Sequence, residues 1–136
     1  MGISNEIDKF ILGAEWETHE AVWLAWPYDE TTFYNRVEKL EKVYCQIMKM
    51  LEGSEQVHLL VLPAMKSHVE EILNSNEVDL KQITFHLTDY ADVWIRDYGP
   101  IFLVNRKEKK LGWIKAQYNA YGKREDSYYE PLLKDN

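Results

Sequence analysis

Apolar residues fall along this chain in short blocks, and the spacing inside a block changes from continuous to every third or fourth position. Ala21-Val22-Trp23-Leu24-Ala25-Trp26 is a continuous apolar run closed by Pro27, which predicts a strand buried on both faces. Phe33, Val37, Leu40, Tyr44, Ile47 and Leu51 then recur at helical spacing until Gly53. They predict a helix capped by Thr31 or Thr32, with that stripe turned to the core. Residues 57–62 predict a second buried strand, and Pro63 opens a shorter helix with Met65, Val69, Ile72 and Leu73 on one face. Beyond a polar stretch at 74–79, residues 83–87 are β-prone, and residues 101–104 and 111–117 flank a charged connection as in a β-hairpin. Strands that alternate with helices and then pair directly predict an α/β fold with a mixed sheet. No internal repeat, low-complexity tract or linker divides the chain, so residues 1–136 are expected to form one unit without an internal boundary. The pattern fades after Asn119, and the tail 118–136 is rich in aromatics and charges but aperiodic, as if cut before its next element.

Composition narrows the classes of partner. With 46% hydrophobic residues, the 136-residue chain can build a core, which argues against disorder. Sixteen basic against 23 acidic side chains give a net charge of -7, which disfavours nucleic acid and anionic membranes and favours a cationic ligand. The single cysteine, Cys45, permits no intrachain disulfide. The N-terminal residues Met1-Gly2-Ile3-Ser4-Asn5-Glu6 lack the basic and apolar regions of a signal peptide, and no apolar run approaches the roughly 20 residues that cross a bilayer. A cytoplasmic location is expected.

The densest group of chemistry-bearing residues is Asp92-Val93-Trp94-Ile95-Arg96-Asp97-Tyr98-Gly99-Pro100, placed between predicted strands where a scaffold commonly displays functional groups. Two readings are open. In one, Arg96 pairs with an aspartate, Trp94 and Tyr98 are core, and Gly99-Pro100 is a turn. In the other, the segment is a cation site, because a carboxylate accepts two parallel hydrogen bonds from a planar guanidinium while an indole face attracts the positive charge.

Ala14-Glu15-Trp16-Glu17-Thr18-His19-Glu20-Ala21-Val22-Trp23-Leu24-Ala25-Trp26-Pro27 closely resembles the opening motif of agmatine deiminases and the related bacterial peptidylarginine deiminases. The nonapeptide from Asp92 to Pro100 resembles their second signature, and Tyr118-Asn119-Ala120-Tyr121-Gly122 a third, in the same order. The resemblance runs from about residue 12 to the C-terminus. It departs at Thr18, where the family commonly has proline, and at Tyr121, where it commonly has tryptophan. It implies part of a pentein, or α/β-propeller, amounting to about one and a half to two ββαβ-like modules. It also implies that a guanidine substrate, most simply agmatine, is hydrolysed without a cofactor or metal to N-carbamoylputrescine and ammonia. A cysteine thiolate would attack the guanidine carbon, and a histidine would act as general acid and base. By motif match Asp97 would hold guanidinium nitrogens, Trp94 would shape the pocket and Asp92 would stand at or near its polar wall. Arg96 and Gly99 would orient the loop. The resemblance places the nucleophile and the histidine beyond Asn136, so no catalytic residue is expected within the chain.

Cys45 lies on the flank of the predicted helix stripe and is expected to be a structural thiol. His19-Glu20 begins like a zinc-protease motif, but Trp23 occupies the second histidine position. His58, His68 and His86 likewise lack the family's His-x-Asp spacing, and His68 is expected to face solvent. Gly99 and Gly122 stand without a phosphate-binding pattern, and Trp16, Trp23 and Trp26 are expected in the core. Two functions from different classes remain. The chain is either the N-terminal part of a deiminase for agmatine, or for free or peptidyl arginine, or a non-catalytic guanidinium-binding or interaction module. In both, an incomplete propeller would expose apolar flanks near Trp23, Trp26 and Ile101, and self-association or a chain supplying the missing modules is expected.

Overall fold

The computed structural model describes residues 9–123; the segment Met1 to Glu6 and most of the aperiodic tail lie outside the described residues. Strand β1 is Ala21–Ala25, helix α1 is Val37–Leu51 and β2 is Gln56–Val61. A 3-10 turn, Pro63–Met65, leads into α2, Lys66–Ser75, and a second such turn, Leu80–Gln82, leads into β3, Ile83–Leu87. The short helix α3, Ile95–Tyr98, precedes the hairpin of β4, Ile101–Asn105, and β5, Lys110–Ile114, and α4 is Ala120–Lys123.

The sheet β1-β2-β3 is wholly parallel, with Val22 opposite Val57 and Val57 opposite Ile83, so each helix is the crossover between neighbouring strands. Parallel and antiparallel pairing are both present, as the sequence predicts, but they are divided between two sheets. Alternation along β2 explains the layering. Val57, Leu59 and Val61 are buried against Cys45 and Met48 of α1 and Val69 and Leu73 of α2, so both helices cover one face. Trp23, His58 and His86 stack on the other face, with His58 Nδ1 and His86 Nε2 2.8 Å apart. Burial, followed by the neighbouring His58, lowers the proton affinity of His86.

Two sequence expectations for α1 need correction. Thr31 and Thr32 do not cap it. Their N–H groups and the Thr32 hydroxyl donate to the Asp29 carboxylate, and left-handed backbone at Tyr34 and Asn35 delays the helix to Val37, whose N–H donates to Glu30 Oε2. The buried face is also rotated. Val37, Glu41, Cys45 and Met48 face inward, whereas Ile47 is exposed. Glu41 is tolerated there because its Oε1 accepts from the Trp26 indole at 3.3 Å and lies 2.7 Å from His68 Nε2. His68 is half exposed, with its ring turned back to that carboxylate.

Tryptophan placement departs from expectation too. Trp26 is fully buried, so it borders no open flank, whereas Trp16 is 89% exposed and belongs to no core. Gly53 ends α1 in a left-handed conformation (φ 76), as its position after the apolar stripe predicts. The N-terminal segment is tied to the hairpin by reciprocal backbone bonds between Ile11 and Val104. The Phe10 ring lies over Gly112, and the ion pair of Arg106 with Glu17 joins the same two segments.

Candidate functional site

Residues 88–99 leave the C-terminal end of β3 and carry the acidic signature, and tyrosines hold this loop in place. The Tyr90 hydroxyl donates to the Trp26 carbonyl at 2.6 Å, and burial pushes its ionisation far above the ordinary range. The Tyr28 hydroxyl reaches the carbonyls of Tyr90 at 2.7 Å and Ala91 at 3.1 Å, and the Tyr98 hydroxyl donates to the Asp92 carbonyl at 2.9 Å. The loop is thereby bonded to the end of β1 and to α3, so its carboxylates sit on fixed backbone.

The two aspartates have different environments. Asp92 is 5% exposed; its Oδ1 accepts from the Val93 N–H at 2.7 Å, while Oδ2 is buried without a hydrogen-bond partner among the described residues. Burial raises its pKa, and the nearby carboxylates Asp29 and Asp97 add to the effect. Tyr44 is pushed up to about 12 by burial and then by the charge of Asp92. Asp97 is exposed on α3, and its Oδ2 accepts from the Tyr121 hydroxyl at 2.9 Å.

Of the sequence-predicted site residues, the fold gathers Asp92 and Asp97 within electrostatic reach of each other. Trp94 is 54% exposed at the residue preceding α3. Arg96 pairs with neither aspartate. It meets Glu15 at 3.0 Å, and both partners are largely exposed, so the pair adds little stability. Gly99 has a clear local role: its N–H donates to the Ile95 carbonyl at 2.7 Å, and a Cβ there would stand 2.5 Å from that oxygen.

A groove of about 540 Å³ runs beside α3, with Trp23, Leu60, Tyr90, Tyr98, Pro100 and Phe102 among its walls. Among the described residues, Asp92, Trp94 and Asp97 do not line it. Cys45 is buried in the core, and burial and Glu41 raise its pKa, the opposite of what an activated thiolate requires. Among the described residues no three His, Cys, Asp or Glu side chains come together as a metal site. The partner that sequence reasoning missed is Tyr121. The sequence marks it as a departure from a motif, but its bond to a residue 24 positions earlier needs the tertiary fold.

The parallel sheet, hairpin and acidic loop are those of the N-terminal part of a pentein, the fold of the agmatine deiminases. The chain belongs to the Porphyromonas-type peptidyl-arginine deiminase family, which it matches over residues 11–136. It is 28% identical over 129 residues to the agmatine deiminase of Ectopseudomonas mendocina, an alignment covering 95% of this chain and 33% of the relative. The solved structure of the C. jejuni agmatine deiminase superposes with a TM-score of 0.64 at 25% identity, covering 88% of this chain and 33% of that one. That of the Enterococcus faecalis agmatine deiminase gives 0.73 at 22% identity over 85% and 30% of the two chains, a likeness of fold. The chain thus spans about a third of the length of the curated relatives it matches.

Proposed function

We propose that this chain supplies part of the guanidinium-binding wall of an agmatine-hydrolysing deiminase, a hydrolase acting on the C–N bond of an amidine. Asp97 carries the reading. It is an exposed carboxylate on a short helix, within the family signature, in a chain of net charge -7. A carboxylate so displayed accepts paired N–H donors from a planar guanidinium. Asp92 adds negative potential behind it, and Trp94 offers an exposed indole face to the cation. Arg96, tied to Glu15, orients the loop and does not touch a substrate of like charge.

In the reaction implied by the resemblance, a cysteine thiolate adds to the guanidine carbon and ammonia leaves. Water then hydrolyses the thiouronium to N-carbamoylputrescine and releases the thiol, in keeping with a place in putrescine formation. The chemistry needs a strong nucleophile and a proton donor for the departing nitrogen, and buried Cys45 serves neither purpose. Those groups belong to the remaining two thirds of the relatives' length, which in this proposal meet this chain as further modules. The names of the curated relatives favour agmatine over peptidyl arginine. A cytoplasmic site of action suits the free thiol of Cys45; among the described residues no helix is long and apolar enough to cross a membrane.

The test replaces the corresponding N-terminal third of the Ectopseudomonas mendocina enzyme with this chain and follows ammonia release from agmatine. Asp97→Asn in the chimera is expected to lower kcat/KM by about tenfold to a hundredfold, the worth of one charge-assisted interaction. Near-normal kcat/KM would refute the assignment. An active chimera also separates the enzyme reading from that of a binding module.

A further inference from the structure

We infer that Tyr121 is a positioning residue for the guanidinium site, its hydroxyl holding the Asp97 carboxylate in the orientation that receives the substrate. The inference rests on the guanidinium reading of Asp97. The Tyr121 hydroxyl donates to Asp97 Oδ2 at 2.9 Å, leaving Oδ1 and the second lone pair of Oδ2 for the paired N–H donors of a substrate. Asp97 is exposed on a four-residue helix, where an aspartate without such a bond samples several rotamers. Ordering it before the ligand arrives removes that cost from binding.

The segment that presents Tyr121 is built for one conformation. Ala120 and Tyr121 both have left-handed backbone (φ 48 and 58), which side chains bearing a Cβ disfavour. Such backbone persists where its surroundings over-determine it. Here Ala120 is fully buried against Ala91, and Tyr118 packs on both. The Tyr118 ring stands edge-on to Tyr121 at 5.8 Å and lies 6.3 Å from Tyr98. Partial burial, the bond to Tyr118 and then the bond to Asp97 all raise the Tyr121 phenol above its ordinary value of 10.

The experiment is a double-mutant cycle in the chimera that carries this chain in place of the N-terminal third of the Ectopseudomonas mendocina enzyme, with kcat and KM for agmatine read from ammonia release and folding checked by circular dichroism. Tyr121→Phe keeps the ring and removes the hydroxyl. It is expected to lower kcat/KM about threefold to tenfold in the otherwise native chimera and to have no further effect in Asp97→Asn. No effect in the native background, or the same loss in both backgrounds, would overturn the positioning role. If Asp97→Asn leaves kcat/KM at the native value, the guanidinium reading itself fails.

Discussion

Asp92 and Asp97 are five positions apart on one loop, yet they differ in every property that governs a carboxylate. Asp97 faces water and a phenol, whereas Asp92 is enclosed with one oxygen unpartnered among the described residues. The raised folded-state pKa of Asp92 makes the folded chain bind its proton more tightly than the unfolded chain, whose carboxyl keeps the ordinary value of 3.8. The resulting stability is fully present below that value and is lost as pH rises through the folded-state value. Asp92→Asn removes the ionisable group. The variant is therefore expected to unfold at a higher temperature than the native chain at pH 7.5, with the gap closing as the pH falls below 4. Equal gaps in thermal melts at the two pH values would contradict this account.

At the scale of elements, α1 and α3 show how local sequence and packing divide the work. Apolar spacing finds α1 and its C-terminal end, but the helix begins only at Val37 and its buried face lies roughly 70° around the axis from the apolar stripe, taking 3.6 residues per turn. A hydropathy pattern assigns Glu41 to solvent. Only the indole N–H of Trp26 and the ring of His68, brought from two other elements, satisfy it inside. The tight end of α3 is set by Gly99, where a methyl group would collide with the Ile95 carbonyl. Gly99→Ala is expected to destabilise the chain by about 1–3 kcal/mol, the usual cost of forcing an atom into occupied space. Because α3 carries Asp97, kcat/KM for agmatine in the chimera should fall with it. Urea denaturation checks the first effect and ammonia release the second, and an unchanged midpoint would show that α3 relaxes freely.

At the scale of the molecule, the apolar surface is unevenly covered. The helices close one face of the parallel sheet, while Ile101, Phe102, Leu111, Trp113 and Ile114 of the hairpin remain exposed. Each is an apolar surface whose burial is worth about 25 cal/mol per Å². The chain is a third of the length of its curated relatives, and the proposal that further modules cover this hairpin predicts association. In sedimentation at micromolar concentration, the chain is expected to self-associate or to bind the remaining two thirds of the Ectopseudomonas mendocina enzyme. Phe102→Ser with Trp113→Ser should weaken either assembly. A compact monomer indifferent to that fragment would favour an independently closed domain.

Local spacing and short motifs suffice for strands β1 to β5, the long helices α1 and α2, the hairpin, the helix stop at Gly53 and the family, because these depend on residues within a few positions of one another; α3 falls in a segment that the same pattern leaves as a connection between strands. The fold class followed, since strands linked by crossover helices pair in parallel whatever their partners' details. Tertiary structure decided what each polar or aromatic side chain meets. It buried Trp26 and left Trp16 in solvent, paired Arg96 with Glu15 instead of an aspartate, and joined Tyr121 to Asp97. Those outcomes depend on contacts between segments far apart in the chain, where a hydrogen bond requires a placement within a few tenths of an ångström that no local pattern encodes.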